Sequence, residues 1–190
     1  MSAAAPARLL LVRHPRPAVP VGWCYGATDV PIDDAHLDEL LETLPPRLPR
    51  HALLYSSPLS RCLRLARGLE ARGFGPATVD ARLREMDFGR WEGRTWSEVP
   101  RAEIDAWRDD LERRAPPGGE PLAALAARAR AFLDALPAER DAIVVTHAGV
   151  VRTLVRAVRG LPLSEFGALR IDYGQVVALE RAGAGWRVPD

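Results

Sequence analysis

Arg8-Leu9-Leu10-Leu11-Val12-Arg13-His14 is an apolar run of strand length that ends abruptly in an arginine and a histidine. It is too short for a helix, so it reads as a buried strand delivering Arg13 and His14 to its C-terminal end. That end is where open α/β sheets build their sites. Far along the chain the pattern returns: Ala142-Ile143-Val144-Val145-Thr146 is a second buried-strand run, and His147-Ala148-Gly149 follows it before a helical pattern. Two strand ends, each carrying a histidine, can converge on one ligand.

Between these runs the elements alternate. Pro15-Arg16-Pro17-Ala18-Val19-Pro20 is kept out of helix and out of any central strand by its prolines, and reads as a stiff loop continuing to Pro31. Asp33-Asp34 open a helix carrying Leu37, Leu40, Leu41 and Leu44, which Pro45-Pro46 ends. His51 to Ser56 reads as a strand, and Ser57-Pro58 as the hydroxyl cap and first-turn proline of a helix from Leu59 to about Ala71. Arg61 falls in its first turn, beside the strand end. Thr78-Val79 and Arg82-Leu83 suggest a short extended stretch before the loop Arg84 to Gly93, which carries Glu85. The polar region to Gly119, with a helical piece near Ser97 to Arg113, reads as a lid-like excursion over 86–119 outside the core. A helix over Leu122 to Leu136 precedes the second histidine strand, and a helix over Val150 to Arg159 follows it. Leu169-Arg170-Ile171-Asp172 and Val176 to Glu180 read as closing strands, with Trp186-Arg187-Val188 an edge. Strands alternating with helices predict an α/β fold whose mostly parallel central sheet is covered on both faces.

Composition narrows the function classes. At 190 residues the chain is long enough for one domain with its own core. A formal net charge of +1 leaves no electrostatic footprint of a nucleic-acid binder. All 26 basic residues are arginine, so a lone arginine carries little information. Cys24 and Cys62 are far apart and lack metal-ligand spacing, which argues against a disulfide framework or a zinc site and for a reducing, cytoplasmic setting. The N-terminus has no export-signal pattern, and no run is long enough to span a membrane.

Taken singly, Arg13, His14, Arg61, Glu85 and His147 each have an ordinary explanation as a capping, core or surface residue. Together they supply what transfer of a phosphoryl group needs. Arginines bind its oxygens through forked donors, a neutral imidazole attacks phosphorus, and an acid protonates the leaving oxygen. Three separate strand-to-helix junctions place these side chains at one end of the sheet.

These segments resemble the histidine phosphatase, or phosphoglycerate mutase-like, superfamily. Leu11-Val12-Arg13-His14 is similar to its opening strand and Arg-His-Gly signature, Ser57-Pro58-Leu59-Ser60-Arg61 to its Ser-Pro-Leu-x-Arg helix start, Glu85 to Gly93 to its acid-bearing segment, and Val145 to Arg152 to its second-histidine segment. The resemblance implies a single three-layer α/β/α domain and a metal-independent phosphomonoester hydrolase without a cofactor. It implies His14 as the nucleophile that becomes phosphorylated, Arg13, Arg61 and His147 as the phosphate pocket, and Glu85 as the proton donor. Its expected partner is a small phosphorylated substrate, with neither nucleic acid nor membrane, and a homodimer is left open.

The chain departs from the family pattern beside the nucleophile. Pro15 stands for the glycine after the first histidine, Pro17 for a Thr or Ser, and Pro20 for an asparagine. Pro15 and Pro20 cannot donate a backbone N–H, and the Asn amide is gone, so other groups have to supply those donors. Tyr25, Gly26 and Thr28 are candidates, and Ala148, in place of a glycine, keeps its N–H. Cys24 to Pro31 is similar to the branch of α-ribazole-5′-phosphate phosphatases of cobalamin assembly, in which Trp23, Tyr25 and Trp91 would stack on a flat base. A phosphatase of another small ester, and a catalytically silent binder of phosphorylated ligands, are the competing readings.

Overall fold

The computed structural model describes residues 6–162 and 165–189. Residues 1–5, read above for an export signal, lie outside them. The expected opening strand forms as β1 (Arg8–Arg13), followed by α1 (Asp34–Thr43), β2 (Leu53–Ser56), α2 (Ser60–Glu70), β3 (Ala77–Val79), α3 (Arg101–Asp109), α4 (Leu122–Asp134), β4 (Ala142–Thr146), α5 (Ala148–Arg159), β5 (Val176–Ala182) and β6 (Gly185–Arg187). They build one six-stranded sheet in the order β3-β2-β4-β1-β5-β6. The first four strands in that order run parallel, β5 pairs antiparallel with β1, and β6 pairs antiparallel with β5.

Alternation along the central strands sorts the core into two layers, because successive strand side chains point to opposite faces. Leu9, Leu11 and Val144 meet Leu125, Phe132, Val151 and Leu154 of α4 and α5. Leu10, Val12, Ile143 and Val145 meet Leu37, Leu41, Leu65 and Leu69 of α1 and α2. The fold is the expected α/β/α sandwich with a mostly parallel sheet. Among the described residues no helix is long and apolar enough to cross a membrane.

Register places the site. Arg13 of β1 lies opposite Thr146 of β4, and His14 N–H donates to the Thr146 carbonyl at 2.9 Å. Ser56 of β2 lies opposite Val145, and Ser57 N–H donates to the Val145 carbonyl at 3.0 Å. With β4 sandwiched between β1 and β2, the three strand ends put His14, His147 and Ser57 side by side.

Several expectations are corrected. Arg82-Leu83 is not extended: Ala81–Leu83 is a 3-10 turn, with Asp80 accepting from Arg82 N–H at 2.9 Å. Residues 169–172 form no strand. The Leu169 and Ile171 carbonyls that would have joined a ladder are taken by the side chains of Arg152 and Arg13. The chain instead reverses through Gly174 (φ 72°) to enter β5. The helix expected near Ser97 to Arg113 is confined to α3, because Pro100 cannot sit in a helix interior. Ser57 is not the cap of α2. Asp29, from the loop after β1, accepts from Ser60 N–H at 3.0 Å and from Ser60 Oγ at 2.8 Å.

The 86–119 excursion is not wholly outside the core. Met86 belongs to the main core, and Trp91 and Val99 bury against Cys24 in a small core of their own. Glu92 stitches this segment to the β1 loop, accepting from Ala27 N–H (2.8 Å), Thr28 N–H (2.6 Å) and Phe88 N–H (2.8 Å). Gly26 is required at that crossing, since a Cβ there would overlap the Met86 carbonyl and the Glu92 carboxylate.

Candidate active site

His14 is 1% exposed and sits at the end of β1. Its Nδ1 lies 2.7 Å from the Pro15 carbonyl oxygen. A carbonyl can only accept, so Nδ1 carries the ring proton and the Nε2 lone pair is left free. Burial, then the positive charge of Arg61 and less strongly that of Arg13, hold the imidazole well below its ordinary pKa, so the ring is neutral at pH 7. Pro15 cannot donate the glycine N–H of the family pattern, yet its carbonyl performs the orienting function that any residue there can supply.

His147, at the end of β4, is wholly buried with its ring centroid 5.1 Å from that of His14. Arg61 Nε, which can only donate, reaches His147 Nδ1 at 3.2 Å. The proton of this ring therefore sits on Nε2 and is donated to Ser57 Oγ at 2.8 Å. Burial and then Arg61 also push this histidine well below its ordinary pKa. Ser57, expected only to cap a helix, instead fixes the tautomer of His147. A serine three residues before α2 gives no sign of this in sequence.

Arg61 is completely buried and held on three sides. Besides His147, it donates from Nη1 to the Thr28 carbonyl at 2.8 Å and from Nη2 to the Gly26 carbonyl at 2.5 Å. Thr28 thus acts through its backbone, supporting Arg61, and its exposed side chain does not line the cavity described below. Arg13 donates from Nη1 to the Ile171 carbonyl at 2.6 Å, and its guanidinium lies 3.7 Å above the centre of the Tyr173 ring. Its Nε is buried and has no hydrogen-bond partner among the described residues, a donor suited to an anion's oxygen.

Glu85 stands at the N-terminus of α5. Its Oε2 accepts from Gly149 N–H at 3.1 Å and its Oε1 from Met86 N–H at 3.0 Å. A Cβ on Gly149 would overlap Oε1, so glycine is what lets the carboxyl approach this closely. Next to it Ala148, the first residue of α5, lines a cavity of about 480 Å³ together with Arg13, Tyr25, Gly26, Phe88, Trp96 and Tyr173.

Of the expected site residues, the structure brings Arg13, His14, Arg61, Glu85, His147, Tyr25, Gly26 and Ala148 to one end of the sheet, and gives Thr28 the supporting place just described. Trp91 does not join them. It is 1% exposed, within the small core, with Nε1 donating to Glu103 at 2.8 Å. Phe88 and Trp96 present aromatic surface to the cavity in its place, beside the expected Trp23. Tyr173 and Arg152 also line the cavity and were not anticipated.

The family model of the histidine phosphatase superfamily (branch 1) matches residues 9–190. The chain belongs to this superfamily. The glucosyl-3-phosphoglycerate phosphatase of Mycolicibacterium vanbaalenii is 33% identical over 180 residues, covering 85% of this chain and 78% of that protein. The adenosylcobalamin/alpha-ribazole phosphatase of Salmonella typhimurium is 28% identical over 183 residues, covering 88% and 87%. The crystal structure of the alpha-ribazole phosphatase from Shigella flexneri matches with a TM-score of 0.83 at 26% identity, covering 96% of this chain and 94% of that one. This histidine phosphatase is accordingly a phosphoric monoester hydrolase.

Proposed function

We propose that the chain hydrolyses phosphomonoesters by two displacements through a phosphohistidine. His14 Nε2 attacks phosphorus, the bond from phosphorus to the leaving oxygen breaks, and Glu85 in its acid form gives that oxygen a proton. Glu85 then takes a proton from water as the water oxygen attacks phosphorus, the phosphorus–nitrogen bond breaks, and inorganic phosphate leaves neutral His14. Arg13, Arg61 and the N-terminus of α5 supply positive potential to the transferring group.

The observation that carries this reading is the state of His14: buried, neutral, with Nδ1 held by the Pro15 carbonyl and flanked by two guanidiniums. The test is turnover of p-nitrophenyl phosphate in excess chelator, together with trapping of an acid-labile, alkali-stable phosphoenzyme. Both activities are expected in the wild type and absent in His14→Ala. Full turnover by His14→Ala refutes the mechanism.

For the ester, the aromatic wall formed by Trp23, Phe88 and Trp96 supports α-ribazole 5′-phosphate, whose flat base suits stacking, and with it a place in cobalamin assembly. A second reading is favoured by Arg152. This side chain lies on the wall shared with an adjoining cavity of about 710 Å³, and its Nε is fixed on the Leu169 carbonyl at 2.7 Å. Such a cation suits a carboxylate on the leaving portion, as in an ester of phosphoglycerate. Comparing kcat/KM for α-ribazole 5′-phosphate and glucosyl-3-phosphoglycerate in wild type and Arg152→Gln separates the two. The first reading expects the ribazole ester to be preferred and insensitive to Arg152; the second expects the reverse.

A further inference from the structure

Tyr25 and Tyr173 come from opposite ends of the chain and meet through their hydroxyls at 2.9 Å. Each ring also packs on one of the site arginines: Tyr173 lies 3.7 Å from the Arg13 guanidinium and Tyr25 lies 5.3 Å from that of Arg61. The Tyr173 ring is in addition 5.7 Å from the ring of His14. Both tyrosines line the 480 Å³ cavity, whereas His14, Arg61 and His147 are buried and do not. The pair therefore reaches from the cavity wall toward the nucleophile, with Tyr173 the member beside the His14 ring. A phosphoryl group in this cavity faces a wall that carries both of these tyrosines.

The prolines at positions 15 and 20 have no N–H to offer, and no asparagine amide stands at position 20. Two phenols hold two O–H donors, but a single bond between them uses only one, and no other hydrogen bond of either hydroxyl is made among the described residues. One donor is already free at the cavity wall, and the second is released if the bridge parts. Burial holds the Tyr25 hydroxyl above its ordinary range, so it stays protonated beside an anion.

We propose that Tyr25 and Tyr173 are phosphoryl-binding residues: on substrate entry their mutual hydrogen bond opens, and both hydroxyls donate to oxygens of the transferring group in place of the donors that Pro15 and Pro20 lack. The assignment rests on the phosphohistidine reading and holds for either ester. It makes the bridge a seal over His14 when the pocket holds no anion and a donor pair when it does.

The test measures inhibition by orthovanadate, which takes up the geometry of a five-coordinate phosphoryl group, in Tyr25→Phe, Tyr173→Phe and the double variant. Phenylalanine keeps each ring on its arginine, and thermal melting monitors folding. Each single variant is expected to bind vanadate about 5- to 10-fold more weakly, and the double variant on the order of 100-fold, with kcat/KM for p-nitrophenyl phosphate falling in parallel. Should the double variant fail to fold, the two single variants carry the test. Wild-type vanadate affinity in both single variants, alongside turnover that still depends on His14, overturns the tyrosine assignment alone. Loss of His14 dependence overturns the underlying mechanism instead.

Discussion

Gly149→Ala isolates proton donation to the leaving group when the first displacement alone is read. Gly149 is the second residue of α5 and has no positive φ, so alanine fits its backbone and gains up to about 1 kcal/mol of helix propensity. The new methyl, however, would overlap Glu85 Oε1, and that oxygen has to retreat by about 1 Å to regain ordinary separation. The retreat also strains the bond from Gly149 N–H to Oε2 at 3.1 Å. Misplacement of a reacting group by about 1 Å costs on the order of 100-fold in rate. In the first displacement the loss falls only where the leaving oxygen needs a proton, whereas the second displacement, in which Glu85 takes a proton from water, slows for every ester. The kcat/KM for an alkyl phosphate, which is set by the first displacement, is expected to drop about 100-fold, while that for p-nitrophenyl phosphate, whose phenolate leaves without protonation, is expected to stay within about threefold. The assay is kcat/KM on both esters, with a thermal melt of each protein to confirm folding. Equal losses on the two esters, or no loss on either, would refute the assignment of Glu85 as proton donor to the leaving group.

Three further outcomes follow from the geometry. Because His14 and His147 have folded-state pKa values held below the ordinary 6.5, the unfolded chain binds protons that the folded chain refuses. Stability is therefore constant with respect to these two groups above about pH 6.5 and falls below it by about 1.4 kcal/mol per pH unit for each, until the folded-state values are reached. Urea unfolding from pH 8 to pH 5 measures this, and His147→Asn should make the acid limb shallower. Arg61→Met strands the buried Gly26 carbonyl and His147 Nδ1, and a loss of at least about 2 kcal/mol in the same unfolding assay is expected. Trp91→Ala should cost about 3–5 kcal/mol of stability, whereas Trp96→Ala, on the cavity wall, should chiefly raise KM for aromatic esters; a reversal of the two effects contradicts the placement of these rings.

What was legible in sequence is what local pattern controls. The apolar runs before His14 and His147 could only be buried strands, and a polar residue ending such a run is delivered to the sheet edge whatever the rest of the chain does. Glu85 and Arg61 were legible through motif spacing. The roles that sequence does not show, those of Ser57, Tyr173 and Arg152, are set by partners outside their local stretch: His147, Arg13 and Tyr25, and the Leu169 carbonyl. The stretch 169–172 was misread because its alternation suits a strand, while its carbonyls are claimed by arginine side chains that no window of ten residues contains. Trp91 was misassigned for the opposite reason, since an aromatic in a glycine-rich loop gives no sign of the small core that Cys24 and Val99 build around it.

The prolines beside His14 show why counting lost donors misjudges a site. A proline at position 15 removes an N–H but keeps the carbonyl, and the carbonyl is what sets the tautomer of the nucleophile. The proline-bearing loop is also tied down independently of phosphate. Ala18 N–H donates to the Pro31 carbonyl at 2.9 Å, Asp33 N–H to the Arg16 carbonyl at 2.8 Å, and Arg16 N–H to His36 Nδ1 at 2.9 Å, which anchors the loop to the start of α1. With φ fixed at three prolines and the backbone of Arg16 and Ala18 pinned by three hydrogen bonds, the loop has little entropy left to lose when an anion binds. A flexible glycine loop that wraps phosphate with its own N–H groups pays that ordering cost at each turnover. Here the wall is rigid beforehand, so the remaining adaptability has to come from side chains at the cavity mouth, and the hydroxyl bridge between Tyr25 and Tyr173 is placed to provide it.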